Sequence, residues 1–397
     1  MNAEALEPPR LPFRGQMLRW AREWRGRSVE DAAKKLNTNP ANIEAWERGD
    51  GVPSVRQARI LAGFYERGFL EFFLETPPPV TESALVPDFR LHRDATDPSG
   101  DRELRAIQAW AEEQRLNALD LFEMLGDTPP PFATELFATA ASNPETIAAA
   151  ARKATALGVD EQMGLLPAER SNMPKLVRRA IERLGVLVLK ESALAKYGVR
   201  GLCVFATPLP VIVYGTEAPA AQSFTMAHEL AHVILQQSAI SGPPSAREST
   251  STTEAVERWC DQFAGAFLVP VDAMASVWAK PNSALPAIGD DMLGKLANTF
   301  CVSRHAMLIR LVHLGYVDPA FYWDVKRLAF LQQERDFKGG GRAKYYGTRY
   351  RSSHGDLYTG LVLEAWGSGA ITNHNAAEFM GIKNLRHLND IRDDFHS

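Results

Sequence analysis

Cysteine is scarce. The 397 residues contain three, Cys203, Cys260 and Cys301, far apart and without a C-x-x-C pair. A disulfide framework is therefore not expected, and a reducing compartment fits best. No run of about eighteen apolar residues occurs, so no membrane-spanning helix is expected. The stretch from Met1 to Pro9 lacks a basic start followed by an apolar run, so no signal peptide is expected. These absences together predict a cytoplasmic protein. A strong charge of one sign is also missing: the net charge is −4, which by itself points to no partner. What is present is a globular composition, 45% apolar and 23% charged, in a chain long enough for two or three domains with their own cores.

The chemistry concentrates in residues 224–235. His228-Glu229-Leu230-Ala231-His232 reads H-E-x-x-H. On a helix, His228 and His232 stand at i and i+4 and face one side, which suits two corners of a tetrahedral zinc site. Glu229, beside the first histidine, is placed to act as a general base on a water. Phe224, Leu230, Ala231, Val233 and Ile234 surround the polar triplet, so the helix is expected to be buried. Burying two histidines and a glutamate without partners is costly, which disfavours a merely decorative role.

A hydrolytic zinc site needs a third protein ligand and an open position. The extended motif with a later histidine and glycine is excluded, because Ser238 and Leu235 occupy those places. A glutamate from a following helix remains. Residues 254–270 form an apolar stripe through Phe263, Ala264, Phe267 and Leu268, closed by Pro270. Glu257 has Asp261 one turn on, and that carboxylate is placed to hold a ligand histidine from behind. Glu254 and Glu248 are rivals, each without an aspartate four residues later.

Residues 224–232 with Glu257, Asp261, Phe263, Ala264, Leu268 and Pro270 resemble the paired motifs of the ImmA/IrrE metallopeptidases, F-T-x-A-H-E-L-x-H and E-x-x-A-[N/D]-x-F-A-x-x-L-L-x-P. Cys260 stands in the alanine place and Phe267 replaces the first leucine; Gln222-Ser223 stand where a basic residue is usual. The match runs from about Met173 to Tyr316. The resemblance implies His228, His232 and Glu257 as zinc ligands and Glu229 as the catalytic residue.

Near the N-terminus, Met17, Leu18 and Ala21 give a first helical face. Ser28 with Asp31 reads as a helix start, Pro40 suits the first position of another helix, Gly49-Asp50-Gly51 stops it, and Pro53-Ser54 opens the next. Ser28, Ala33, Leu36, Ile43, Trp46-Glu47-x-Gly49 and Pro53-Ser54 resemble the XRE, or lambda-repressor-like, helix-turn-helix. Residues 10–67 carry twelve Lys/Arg against seven Asp/Glu. Val29 stands where that group usually has glutamine, and the front of the reading helix offers Pro40, Ala41, Asn42 and Ala45. Asn42 and Arg48 are the candidate DNA contacts, and Asn42 alone of those front positions has a useful hydrogen-bonding fork.

The expected fold is α+β and mostly helical. Residues 10–75 form a five-helix XRE-like domain and residues 80–168 a helical bridge after the stiff Pro77-Pro78-Pro79 linker. Residues 169–320 form a zincin-like peptidase domain. Its short strands, around residues 186–189, 201–205 and 211–214, form a small sheet whose edge suits an extended peptide. Residues 321–397 form a helical C-terminal region containing a Gly339-Gly340-Gly341 break, a mix of basic residues with Tyr345, Tyr346 and Tyr350, and a helix-turn-helix-like stretch from Thr372 to Ile382.

The family resemblance implies a zinc-dependent endopeptidase that regulates transcription by cleaving a repressor-type protein, in stress or phage control. The alternative is a helix-turn-helix regulator that uses the zinc fold as a sensor. A docking module with a structural zinc is a third class, disfavoured because no fourth protein ligand lies near. The expected cofactor is Zn2+. The expected partners are a protein substrate with a helix-turn-helix fold, duplex DNA held weakly, and a second copy of the chain, with no membrane. Tyr214, His305 and His313 are the candidates for stabilising the oxyanion.

Overall fold

The computed structural model describes residues 13–76 apart from 26, 66, 68 and 75, and residues 98–241, 252–278, 282–335 and 345–396. The Pro77-Pro78-Pro79 linker, Glu248 and the triple-glycine break lie outside the described residues. The fold is α+β and mostly helical, with one four-stranded sheet. The described residues divide into two compact units, those of Met1–Leu85 with Asp94–Trp110, and those of Ala111–Ser397.

In the first unit, helices Gly15–Trp24, Val29–Leu36, Pro40–Arg48 and Val55–Tyr65 and a 3-10 turn, Phe69–Phe73, enclose Leu18, Ala21, Ala33, Ile43, Leu61, Tyr65 and Phe72. Local chemistry sets the boundaries. The Ser28 hydroxyl accepts from the Asp31 N–H, and Asp31 accepts from the Ser28 N–H, a reciprocal cap. Asn39 accepts from the Ala41 N–H, with Pro40 at the first helical position. Gly49 ends that helix at φ +87°, a conformation glycine adopts without strain. Arg22 donates two hydrogen bonds, of 2.6 and 2.8 Å, to Glu47 and ties the first helix to the third.

The second unit is built on strands β1 (Leu187–Lys190), β2 (Gly201–Val204), β3 (Val211–Tyr214) and β4 (Ala239–Ser241), in the spatial order β1-β3-β2-β4. β1 and β3 run parallel; β2 is antiparallel to both neighbours. Nearly every strand residue is buried, which explains the continuous apolar runs in place of an alternating pattern. β4 follows the H-E-x-x-H helix and was not expected from the sequence, since Ala-Ile-Ser is too short to carry a strand signal.

Helix Pro219–Ile234 packs on β2 and β3 and on helices Met173–Glu182 and Thr252–Leu268. Helix Pro144–Thr155, in the stretch read from the sequence as a bridge, packs on helix Thr252–Leu268. Buried Arg152 donates to the carbonyls of Phe267 and Leu157, satisfying groups that a helix end leaves open. Arg310 is held between Glu145 and the Val269 carbonyl. These polar ties fix the C-terminal end of the helix that carries Glu257.

Helices Tyr346–Gly367, Asn373–Phe379 and Arg386–His396 end the chain. The first packs against β1, and Arg178 of helix Met173–Glu182 donates to the Ser352 carbonyl at 2.6 Å. The basic and aromatic residues at the start of helix Tyr346–Gly367 are locally engaged: Arg351 bonds Asp356 and the Asp394 carbonyl, and Tyr346 stacks on His387. Thr372 caps the second helix.

Candidate metal centre

Helix Pro219–Ile234 starts with proline at its first position and is buried continuously from Thr225 to Ile234. The helix buries three titratable groups: His228 is 7% exposed, and Glu229 and His232 are 0% exposed. Spacing by four puts the imidazoles on one face, with Nε2 of His228 3.2 Å from Nε2 of His232. Helix Thr252–Leu268 crosses this face and supplies Glu257. Its Oε2 lies 3.3 Å from His228 Nε2 and its Oε1 3.2 Å from His232 Nε2.

These spacings test whether a metal fits. Ligand atoms about 2.0–2.1 Å from one tetrahedral ion lie about 3.3 Å from each other. The separation of the two Nε2 atoms and the nearest approach of a Glu257 oxygen to each imidazole have that length. Among the described residues, this is the one group of His, Cys, Asp or Glu whose ligand atoms all fall within 4.8 Å. Glu254 does not join it. Both Glu229 oxygens are buried without a hydrogen-bond partner, an arrangement that a water would satisfy.

The back of the site orients the front. His228 Nδ1 lies 3.0 Å from Asp261 Oδ1, so a proton on Nδ1 frees Nε2 as a ligand atom. Behind His232, Cys260 Sγ lies 3.7 Å from Nδ1. Cys260 was visible in the sequence as a substitution in the alanine place, though its contact with His232 was not.

The electrostatics are those of a cation site. Burial pushes His228 down, but Asp261 and Glu257 outweigh it and hold the imidazole well above its ordinary range. His232 is lowered, chiefly by burial. Glu257 is lowered despite its burial, because both histidines bond its carboxylate. Burial raises Glu229 to about 8, offset in part by His228.

Of the three oxyanion candidates, Tyr214 sits at the end of β3 with Arg178 and Lys190 over its ring. His305 is bonded to Tyr322 at 2.9 Å and stacked between Tyr322 and Phe330. His313 is solvent-exposed; burial of part of its ring and Arg310 lower its pKa, and Asp261 and Glu145 oppose them.

In the first unit, Asn42 and Arg48 are both exposed. Asn42 Nδ2 donates to Thr38 Oγ1 at 2.8 Å, and Arg48 Nε donates to Asp50 at 2.9 Å with Glu44 3.8 Å away.

Among the described residues, no helix is long and apolar enough to cross a membrane. Residues 181–312 match the family described as the IrrE N-terminal-like domain, peptidase M78, and residues 15–68 match a helix-turn-helix domain. No curated protein and no solved structure matches the chain.

Proposed function

From a chain in which an IrrE N-terminal-like peptidase M78 domain follows a helix-turn-helix domain, we propose a zinc-dependent endopeptidase that controls transcription by cutting a repressor-type protein. The observation that carries this reading is the triangle of His228, His232 and Glu257, with sides close to those of a tetrahedral metal site and a buried carboxylate, Glu229, beside it. Three protein ligands leave one position open, as hydrolysis requires.

His228, His232 and Glu257 would hold the ion, and Asp261 would fix the tautomer of His228. A bound zinc supplies Lewis-acid polarisation of the scissile carbonyl and a more acidic water. Glu229 takes the proton of the attacking water and passes it to the leaving amine nitrogen. Burial of the surrounding helix excludes bulk water and strengthens each of these interactions.

The helix-turn-helix unit would recruit the substrate, a repressor of the same fold, and hold duplex DNA weakly. The local basic excess supports the second role. The engagement of Asn42 by Thr38 and of Arg48 by Asp50 supports weak rather than sequence-specific contact. The test is capture. The Glu229→Gln chain is expressed in its host, purified with its zinc, and its trapped partner identified by mass spectrometry. Recovery of a DNA-binding repressor, cut by the wild-type chain in vitro, is the expected result. A captured protein that the zinc-loaded wild type leaves intact would overturn the reading.

A further inference from the structure

Glu229 reaches its place only because one strand residue lacks a side chain. Gly201 opens β2 and pairs with Tyr214 of β3 on one side and Ser241 of β4 on the other. A Cβ on Gly201 would stand 2.6 Å from Glu229 Oε1, 2.9 Å from Glu229 Cγ and 2.7 Å from Thr225 Cγ2. Carbon does not approach other atoms that closely in a packed interior, and Glu229, at 0% exposure, has no solvent to retreat into. Thr225 is one turn before Glu229 and is itself fixed, its hydroxyl donating to Glu217 at 2.7 Å. The carboxylate is thus wedged between its own helix and the start of β2.

The neighbouring strand completes the seat. The Ser241 hydroxyl is buried and has no hydrogen-bond partner, as is true of both Glu229 oxygens. A water accepted between them would satisfy both groups.

We infer that Gly201 is a positioning residue for Glu229: the missing side chain at the head of β2 creates the space that the carboxylate occupies beside the His228, His232 and Glu257 triangle. This rests on the proposed role of Glu229 as the base. The physical claim, a specific steric coupling between positions 201 and 229, stands apart from that role and can be measured without turnover.

The experiment uses the full-length chain with Thr225→Ser throughout, which removes the second close contact while keeping the hydroxyl. Gly201→Ala is made with Glu229 present and again with Glu229→Ala, and the melting temperatures of the four metal-free proteins are compared. Gly201→Ala is expected to lower the melting temperature with Glu229 present and to lower it far less in the Glu229→Ala chain. An equal loss in both backgrounds, failure of both to fold, or no loss in either would overturn the inference. In the zinc-loaded Gly201→Ala chain, zinc affinity should stay within about twofold of wild type. Turnover of a pool of internally quenched random peptides should fall about a hundredfold, the scale of a misplacement near 1 Å. Retention of turnover by Glu229→Gln would sink the functional reading while leaving the steric coupling to be judged on its own melting data.

Discussion

Asp261 Oδ1 stands 3.0 Å from Nδ1 of His228, on the side of the ring away from Glu257. A carboxylate in that position fixes which nitrogen faces the metal and increases its basicity. Asp261→Ala should weaken zinc affinity about ten- to a hundredfold without abolishing it. Competition titration with a zinc-binding dye measures this, and unchanged affinity would remove Asp261 from the site.

Ligand and base should separate cleanly. His228→Ala, His232→Ala and Glu257→Ala each remove one corner of the proposed three-ligand site and should give protein purified with less than stoichiometric zinc. Glu229→Gln should retain zinc and lose peptide cleavage, because an amide cannot take a proton at neutral pH. Elemental analysis beside a cleavage assay distinguishes the two classes. Full zinc content in Glu257→Ala would count against its assignment as ligand.

Two buried groups behind the sheet should oppose each other in acid. Burial raises Glu182 from its ordinary 4.5 to about 7, with Arg178 opposing and Asp356 adding to the rise. Burial lowers His354 from 6.5 to about 4, helped by Arg178 and opposed by the Tyr350 carbonyl. For Glu182 the folded state holds the proton more tightly, so its contribution is present at low pH and is lost as pH rises from 4.5 to about 7. For His354 the unfolded state holds the proton, so its contribution is full above 6.5 and is lost as pH falls towards about 4. Each effect is on the order of 3 kcal/mol and they run in opposite directions over the shared window. These two contributions should therefore largely cancel each other in the wild type. Relative to wild type, the stability of Glu182→Gln should tilt upward with rising pH and that of His354→Gln should tilt downward, in urea titrations of the metal-free protein.

Arg152 supports the metal helix from a distance. It donates to the Phe267 and Leu157 carbonyls and to Gln162 Oε1, and it is 6% exposed. Arg152→Ala leaves these acceptors short of a donor and should cost about 3 kcal/mol. A denaturation midpoint unchanged from wild type would show that water replaces the guanidinium.

The helix-turn-helix unit should bind duplex DNA weakly and with steep salt dependence, since phosphate neutralisation releases counterions whatever the sequence. Selection from random duplexes at physiological salt should yield no single motif. Recovery of one motif with affinity near ~10 nM, typical of specific readers, would show that the unit reads bases. Deleting residues 10–67 should impair cutting of the proposed repressor substrate and leave zinc content unchanged.

The sequence by itself determined the features governed by short-range rules. The helix starts at Ser28 and Pro40 and the stop at Gly49 depend on neighbours within about one helical turn, so composition and spacing expressed them. The i and i+4 spacing placed His228 and His232 on one face before any packing was considered. Tertiary structure decided what depends on contacts between distant segments. A three-residue strand such as Ala239–Ser241 has no periodicity to read; it exists because β2 offers an edge. The choice of Glu257 over Glu254 as the carboxylate near the histidines follows from the crossing of two helices, which sets the 3.2 and 3.3 Å separations. Gly201 looked like an ordinary glycine in a strand, because close approach is a property of two surfaces and only the fold brings β2 against Glu229.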